Sequence, residues 1–322
     1  MKKRIFIAAL LIIALALSAC GKTPAYKDNT FVSMDTIISV KIAADTQEAD
    51  EIFNKCREIT ERVRSVCDVD DEKSVLSLRN AGESTANDEL DEILDICREV
   101  SEATGGAFNP SVRDLTLAWR DAEKSGILPE RRQGDRPVFA NDGTERNIDL
   151  GGVAKGYAEE LVVDYLKESG VEYGIVSFGG NVAVFGNRPG GGDFTVAVRD
   201  PDDPSGVVGT LSLAEGYVSV SGDYERYYEI NGEKYHHVLD PGTGYPSDSG
   251  LRSVAVVTSG SGAGALGDAL ATALLVMGEE DAMKLYERNV FSFEAVFIAE
   301  NGDVRTTPGL SSAFTPSRRG NG

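Results

Sequence analysis

Apolar residues recur at intervals of three and four along two stretches of the chain, which is the spacing of one face of an α-helix. This pattern predicts helices over 46–66 and 87–104, and the glycines that follow the second stretch are typical of a helix end. Two more helices are predicted over 153–169, after a pair of glycines, and over 267–277, where most residues are apolar. The apolar stripe of the first helix consists of Ala49, Ile52, Phe53, Cys56, Ile59 and Val63.

Runs of β-branched and aromatic residues, separated by turn residues, predict strands around these helices. Asn-Gly pairs at 231–232 and 301–302 each join two such runs, as in hairpins with two-residue turns. Polar residues at 33–36 (Ser-Met-Asp-Thr) interrupt the first strand, so this segment is either a bulge or a ligand contact. The predicted strands cover 31–42, two strands within 171–184, 194–199, 209–213, 224–230, 234–239, 252–258, 293–298 and 302–306.

The region between the second and third predicted helices has a weaker pattern. Trp119, the only tryptophan of the chain, is interpreted as an aromatic core anchor on a helix that starts after 108–112 (Phe-Asn-Pro-Ser-Val). Prolines, glycines and mixed charges fill 126–147, which predicts a long connection on the surface.

The hairpin over 224–239 carries both histidines of the chain, His236 and His237. The loop 240–244 (Asp-Pro-Gly-Thr-Gly) follows and must leave the sheet, because proline cannot donate a hydrogen bond to a neighbouring strand. Histidine titrates near neutral pH, and loops held on a rigid hairpin are common places for ligand binding and catalysis. A plain hairpin with a polar tip is the alternative, but the histidines beside this loop favour a functional site.

Two pairs of glycines lie where the backbone is expected to turn. The pair at 151–152 follows a predicted strand that ends at Leu150 and precedes a helix, whose N-terminus favours phosphate groups. Lys155 lies in the first turn of that helix, where a cation is unfavourable for the helix dipole. It is therefore either a ligand-binding residue or a solvated lysine. The pair at 179–180 interrupts a buried strand and indicates that another group approaches the backbone closely.

The apolar helix over 267–277 contains Asp268 and Thr272, four residues apart and so on one face. An aspartate in an apolar helix is costly unless it is paired or metal-bound. Carboxylate and hydroxyl oxygens are ligands that Mg²⁺ prefers. A capping aspartate with a core threonine explains the spacing about as well.

The first twenty residues resemble an export signal. A basic start is followed by an apolar run over 5–17 that is too short for a membrane span. Small residues then precede Cys20, as in a bacterial lipobox, where the cysteine is lipidated and becomes the mature N-terminus. An ordinary secretory signal with a chance cysteine, or an uncleaved anchor, is the alternative. We expect a lipid-anchored protein outside the cytoplasmic membrane.

The net charge excludes some classes of binding partner, and the cysteine spacing argues against a zinc site. The chain has 322 residues and a net charge of −20, which argues against binding to nucleic acid or to anionic lipid headgroups. An anionic ligand would therefore need a metal ion, a lysine or backbone amides. Three further cysteines (Cys56, Cys67 and Cys97) show no zinc spacing, and their odd number leaves at least one free thiol.

Six segments, taken in order, resemble the ApbE family, the FAD:protein FMN transferases, which are often lipoproteins. The resemblance covers about residues 30–310, and its motifs are specific as a set although each is weak alone. The segments are SMDT (33–36), FNPSV (108–112), DLGGVAKGYA (149–158), SFGGNV (177–182), HHVLDPGTGYP (236–246) after SGDYERYYE, and GDALATALLVMG (267–278).

The resemblance implies an α+β fold, a single ApbE-type domain with mixed, mainly antiparallel sheets and flanking helices. It divides the chain into a lipoprotein signal peptide (1–19), a tether (20–29), the flavin transferase domain (30–310) and a polar tail (311–322). It also implies a position outside the cell membrane, on the periplasmic side in a Gram-negative cell, and an acceptor that is a flavoprotein subunit of a membrane redox complex.

The resemblance further implies site residues. Mg²⁺ would be held by the Asp268 carboxylate, the Thr272 hydroxyl and a backbone carbonyl near Gly152. His237, at the family's H-x-x-D-P position, would be the general base or would position the attacking hydroxyl. FAD, the substrate, would be lined by Met34, Asn109, Lys155, Gly180, Asn181, His237 and Thr243. Asn109 replaces a more usual acidic residue, which weakens any role assigned to it.

Three functions are compatible with these residues. The first is Mg²⁺-dependent transfer of FMN from FAD to a threonine of an extracytoplasmic redox protein, with release of AMP. The second is a Mg²⁺-dependent FAD pyrophosphatase that uses water at the same site. The third is a lipoprotein that binds FAD without chemistry. Asp268, Thr272 and His237 argue against the third, because binding alone needs neither a base nor a metal.

Overall fold

A computed structural model describes residues 26–317 of this protein, except Asp45, Ser84, Thr85, Pro189 and Pro204. The predicted signal peptide and the predicted lipidation site, Cys20, lie outside the described residues. Within them, no helix is both long enough and apolar enough to cross a membrane.

An eight-stranded antiparallel sheet forms the centre of the fold, in the order β1-β2-β3-β4-β7-β10-β11-β12. Three of its seven neighbouring pairs are hairpins, namely β1-β2, β3-β4 and β11-β12, and longer segments join the others. The strands are β1 (Tyr26–Ser33), β2 (Thr36–Ala43), β3 (Tyr173–Phe178), β4 (Asn181–Gly186), β7 (Gly216–Gly222), β10 (Leu251–Thr258), β11 (Glu294–Ala299) and β12 (Val304–Thr306).

Helices cover one face of this sheet, and the main apolar core lies between them and the strands. The amphipathic spacing of the sequence explains the first and third helices, whose apolar stripes are the buried ones. The helices are α1 (Thr46–Cys67), α2 (Val75–Asn80), α3 (Asp88–Ala103), α4 (Arg113–Ser125), α5 (Ala154–Glu168), α6 (Ala263–Met277) and α7 (Glu279–Glu287).

A small second sheet packs on the opposite face of the central sheet and encloses a second apolar core. It consists of β5 (Phe194–Arg199), β6 (Val207–Leu213) and β13 (Phe314–Pro316), in the order β13-β6-β5. Strict alternation of buried and exposed residues in β5 is the pattern of a strand with one wet face.

The histidine hairpin stands apart as a two-stranded sheet of β8 (Tyr227–Ile230) and β9 (Glu233–His236). It packs on α4 around Trp119, which is fully buried as predicted. The indole Nε1 donates a hydrogen bond to the Gly244 carbonyl at 2.8 Å, and so ties the loop after the histidines to α4. The predicted core anchor therefore also supports the candidate site.

The structure confirms the α+β class and differs from the sequence predictions in several places. Residues 31–42 are a hairpin of two strands and not one strand with a bulge, because Met34 and Asp35 both adopt positive φ angles and turn the chain. The predicted strand ending at Leu150 has no strand conformation. Sequence analysis did not predict β7, α2 or α7 as regular elements.

The structure also differs from the predicted boundaries at both ends of the domain. β1 begins at Tyr26, inside the predicted tether, and pairs with β2 along its whole length. β13 lies inside the predicted polar tail, because Phe314–Pro316 pairs with β6. Both segments are thereby parts of sheets.

Candidate active site

The candidate site is built where α5 and α6 cross at two glycines. A Cβ atom at Gly156 would clash with the Gly264 carbonyl oxygen, and one at Gly264 would lie 2.5 Å from the Gly156 carbonyl oxygen. No residue with a side chain fits this crossing without moving the helices apart. The close approach lets Asp268 Oδ2 accept the Gly156 N–H at 3.0 Å.

Asp268 is the buried carboxylate of this crossing, with 2% of its surface exposed. The Lys155 ammonium lies 3.5 Å from its Oδ2 atom and also donates to the Gly151 carbonyl at 3.1 Å. Lys155 is thus held at the glycine turn by a carboxylate and a carbonyl, and is not merely solvated. Both of these Asp268 contacts, with the Gly156 N–H and with the Lys155 ammonium, are made by Oδ2.

Thr272 lies one helical turn after Asp268, and its hydroxyl faces the glycine turn that precedes α5. A Cβ atom at Gly152 would lie 3.2 Å from Thr272 Oγ1, so glycine permits this approach. Ser221 Oγ of β7 lies 3.3 Å from the same hydroxyl. The three residues expected at a metal are therefore brought together, and Ser221 is an addition that the sequence did not suggest.

These donors are a carboxylate, a hydroxyl and a backbone carbonyl, all of which are hard oxygen ligands. Among the residues that the structure describes, no three His, Cys, Asp or Glu side chains are placed so that they could hold a metal ion together. A cation here would rely on one carboxylate and take its remaining ligands from water or from the ligand's phosphates. That arrangement fits Mg²⁺, which usually retains waters and binds phosphates beside one or two carboxylates.

His237 follows β9 with its ring fixed at one nitrogen. Its Nδ1 lies 3.1 Å from the Arg226 carbonyl, which can only accept, so Nδ1 carries the proton and Nε2 keeps a lone pair. Burial is the main cause that lowers the pKa of His237 from 6.5 to about 4; the charges of Arg226 and Lys155 contribute to this shift, and the hydrogen bond to the Arg226 carbonyl opposes it. The ring is therefore neutral at physiological pH, and the charge of Lys155 connects it electrostatically to the helix crossing.

His236 has a different environment from its neighbour. Its Nε2 donates to the Ser247 carbonyl at 2.9 Å, and its Nδ1 is buried without a partner among the described residues.

Asp240, at the start of the Pro-Gly loop, forms a two-pronged ion pair with Arg136 at 3.0 and 3.1 Å. Arg136 belongs to the predicted surface connection 126–147, so part of that segment has a structural role that its composition did not indicate.

The two turns expected to line the flavin lie side by side. Gly179 donates to the Ile37 carbonyl at 3.0 Å, which holds the β3–β4 turn against the turn that carries Met34. Gly180 faces Glu225, since a Cβ there would lie 2.6 Å from Glu225 Oε1. Burial raises the pKa of Glu225, and Lys155 and Asp268 are among the charges that act on it. These contacts connect the turns to the helix crossing.

Three other residues expected to line FAD make internal contacts. Asn181 is fully buried, with its Oδ1 accepting the Val220 N–H at 3.2 Å. Asn109 donates to Pro137 O and accepts from the Ser111 N–H, so both ends of its amide are used within the chain. The Thr243 hydroxyl accepts the Tyr245 N–H at 3.2 Å. Each of these side chains fixes a loop or strand next to the site.

Two adjacent glutamates on α5 were missed by sequence analysis. Glu160 accepts N–H groups of Gly262 and Gly264 and so caps the N-terminus of α6. Glu159 has no exposed surface, and neither of its carboxyl oxygens has a partner in hydrogen-bond geometry within the described chain, although the Ala183 backbone N–H acts on the carboxyl group. Burial raises the pKa of Glu159 well above its ordinary value, and the charge of Asp268 adds to this shift.

The three described cysteines form no disulfide, and all are buried. Burial raises the pKa of Cys56 to about 12, and it also raises the pKa values of Cys67 and Cys97. Thiols in this state are unreactive. Cys56, on the predicted apolar stripe of the first helix, and Cys97 of α3 are thus small core residues.

A separate groove of about 600 Å³ lies between α3 and α5, and Tyr157 is one of its lining residues. Seven carboxylates line it, and a pyrophosphate would be repelled there. The crossing with Asp268, Lys155 and Thr272 is the better candidate for an anionic nucleotide. The lining carboxylates are Asp88, Asp91, Glu92, Asp95, Glu99 and Asp164, with Glu160 at the end near α6.

Comparison with known proteins identifies sequence relatives of this chain that act on flavin nucleotides by name. The chain is 32% identical over 228 residues to the FAD:protein FMN transferase of Klebsiella pneumoniae, covering 65% of this chain and 69% of that protein. It is 34% identical over 180 residues to the Vibrio cholerae protein of the same name, covering 56% of this chain and about half (52%) of that protein.

Among solved structures, the ApbE protein of Thermotoga maritima matches with a TM-score of 0.74 and 26% identity, covering 89% of this chain and 98% of that one. The model of the ApbE family matches residues 34–297, which include both crossing helices and the histidine hairpin. This chain belongs to the ApbE family.

Proposed function

We propose that this protein transfers FMN from FAD to a threonine side chain of another protein and releases AMP. The observation that carries the proposal is the convergence of Asp268, Thr272 and Gly152 beside Lys155, with the neutral ring of His237 within range of the lysine charge. The curated relatives named FAD:protein FMN transferase support the same reaction.

Mg²⁺ is proposed as the cofactor. The Asp268 carboxylate, the Thr272 hydroxyl and the Gly152 carbonyl would hold it. When bound, it would neutralise the pyrophosphate oxygens of FAD and make the phosphorus more electrophilic. The need for such a cation follows from the net charge of −20, since an acidic protein must offset the charge of a dianionic substrate.

The residues of the chain supply the remaining steps. The acceptor threonine Oγ forms a bond to the FMN-side phosphorus, and the bond from that phosphorus to the bridging oxygen breaks. AMP leaves with the electron pair of the broken bond. His237 Nε2 is the free nitrogen that accepts the hydroxyl proton, because Nδ1 already donates to Arg226 O. Lys155 places a fixed positive charge beside the phosphates.

The proposal includes the location and the acceptor. Lipidation of Cys20 would hold the protein at the outer face of the cytoplasmic membrane. There it would meet extracytoplasmic redox subunits, so the proposed acceptor is a threonine-bearing flavoprotein subunit of a membrane redox complex. FAD and the acceptor are the expected partners.

The test is incubation of the purified protein with FAD, MgCl2 and a candidate acceptor subunit. We expect a fluorescent acceptor that keeps its flavin after denaturation, and one AMP released per flavin attached. Replacing the acceptor threonine with valine should abolish labelling. AMP and free FMN without labelling would identify a pyrophosphatase instead, and FAD binding without AMP release would identify a flavin-binding protein.

A further inference from the structure

Adjacent carboxyl groups on α5 have opposite environments. Glu160 is almost fully buried but accepts backbone N–H groups at the start of α6, including Gly264 N at 3.0 Å. Glu159 is completely buried, and neither of its oxygens has a partner in hydrogen-bond geometry within the described chain, although the Ala183 backbone N–H is close enough to act on the carboxyl group. A buried carboxyl without partners destabilises a fold, and such groups are retained mainly where they have a function.

The position of Glu159 indicates what it could act on. It lies one turn after Gly156 on α5, and Gly156 is the residue whose N–H binds Asp268. The backbone of Ala183 in β4 and the charge of Asp268 both act on its carboxyl group. Glu159 is therefore a buried carboxyl between α5 and β4, within electrostatic range of the Asp268 carboxylate.

Two more unpartnered polar side chains lie on the face of the central sheet that is covered by helices. Asn181 and Ser219 face each other across β4 and β7, in continuation of the Val182–Val218 pair, and both are fully buried. The Asn181 amide nitrogen and the Ser219 hydroxyl have no partner in the described chain. A Cβ at Gly267, the residue before Asp268, would lie 2.9 Å from Ser219 Oγ. Buried polar groups that cluster in this way usually bind internal water.

We propose that Glu159, Asn181 and Ser219 form an internal water-binding pocket that fixes the orientation of the Asp268 carboxylate. The inference rests on the proposed function, because that function gives Asp268 its role as a metal ligand. Glu159 is then a positioning residue, since it acts through Asp268 and does not touch the substrate. Outer partners of metal ligands commonly change metal affinity by about tenfold or more when they are removed.

The test compares Glu159→Leu and Glu159→Gln by thermal unfolding during titration with MgCl2 alone. Leucine has a similar volume but cannot hold water. We therefore expect a melting temperature no lower than that of the wild type, and an Mg²⁺ affinity about tenfold weaker. Glutamine keeps a hydrogen-bonding group, so its Mg²⁺ affinity should stay within about threefold of the wild type.

Glu160→Leu is the matched control, because it removes the neighbouring buried carboxyl whose partners are known. It should lower the melting temperature by roughly 2 °C or more, since it leaves the start of α6 uncapped. Opposite effects on stability from two adjacent glutamates would distinguish a functional carboxyl from a structural one.

Three results would overturn the inference while leaving the proposed function intact. They are an unchanged Mg²⁺ affinity in Glu159→Leu, a loss of melting temperature in Glu159→Leu like that of the control, and a loss of affinity in Glu159→Gln equal to that in Glu159→Leu. If the wild type shows no rise in melting temperature with Mg²⁺, the metal assignment of the proposed function fails, and the inference fails with it.

Discussion

Asp268 Oδ2 accepts the backbone N–H of Gly156 at 3.0 Å, so the carboxylate of the candidate site also joins the two helices that form it. A Cβ at Gly156 would lie 2.7 Å from the Asp268 Cβ. The absence of a side chain on one helix thus sets the position of the carboxylate on the other. Stability and chemistry depend on the same contact.

Gly156→Ala should therefore damage both properties. The added methyl group must push α5 from α6, because the Gly264 carbonyl occupies its space, and overpacking of this kind costs about 1–3 kcal/mol. Urea unfolding measures the loss, and FMN transfer should fall with it. Glu168→Ala, at an exposed position on the same helix, is the control and should change stability by about 0.5 kcal/mol or less. Wild-type stability in Gly156→Ala would show that the helices are not in this contact.

Replacement of Asp268 separates its two roles. Asp268→Asn keeps an oxygen for the Gly156 N–H but removes the charge, so the fold should persist while Mg²⁺-dependent transfer is lost. Asp268→Ala also leaves the buried Gly156 N–H without a partner, which should lower the free energy of unfolding by about 1–3 kcal/mol more. AMP release at varied MgCl2 and urea unfolding give the two readouts. Full activity of Asp268→Asn in Mg²⁺ would refute the metal assignment.

The two histidines should respond differently to replacement by alanine. His237→Ala removes the free Nε2, so turnover should fall roughly a hundredfold or more while FAD affinity changes only a few-fold. His236→Ala removes the hydrogen bond to the Ser247 carbonyl, so its main effect should be on stability, by about 1 kcal/mol. Fluorescence quenching of FAD and release of AMP measure binding and turnover. Equal losses of turnover in both variants would mean that the histidines only support the hairpin.

Sequence analysis predicted the elements whose local patterns agree with their final environment. The amphipathic stripes of α1 and α3 became buried faces, and the Asn-Gly pairs became hairpin turns. The Met34–Asp35 turn was not predicted, because a two-residue turn with two positive φ angles usually contains asparagine or glycine. Positive φ at a methionine is strained, and such strain is common at functional sites.

The other omissions depend on contacts between distant parts of the chain. β7 reads as a weak strand because Ser219 and Ser221 interrupt its apolar residues, yet these serines face α6, where the site needs polar groups. The ion pair of Arg136 with Asp240 joins residues 104 apart, and the unpartnered state of Glu159 exists only once α5 is packed. One sequence contains no local signal for such relationships.

Membrane attachment is tested separately from chemistry. We predict that Cys20 carries the lipid and forms the mature N-terminus, because small residues precede it after a basic and apolar leader. Mass spectrometry of the protein extracted from membranes should show a modified cysteine as the first residue. Cys20→Ser should release the protein from the membrane fraction without changing FMN transfer in vitro. An unmodified Cys20, or cleavage at another residue, would refute this prediction.

The last prediction concerns the protonation of His237. Burial, with the positive charges of Arg226 and Lys155 and against the hydrogen bond to the Arg226 carbonyl, lowers its pKa from 6.5 to about 4, so the folded protein favours the neutral ring. Between pH 6.5 and 4 the unfolded chain binds a proton at this ring and the folded protein does not. The free energy of unfolding is therefore unaffected by this group above pH 6.5 and decreases as the pH falls from 6.5 towards 4. His237→Gln cannot be protonated, so its stability should fall less than that of the wild type over this interval.

NMR can read this titration directly, because the chain contains only two histidines and His236→Gln leaves one ring signal. We expect a midpoint near pH 4 in the free protein, and the acid limb of kcat/KM should likewise lie near pH 4, since this ratio reports the free enzyme. Bound FAD brings phosphate charges towards the ring, so the acid limb of kcat should move to higher pH. A midpoint near 6.5 in the free protein would show that the His237 ring is solvated, and would refute the prediction that burial lowers its pKa.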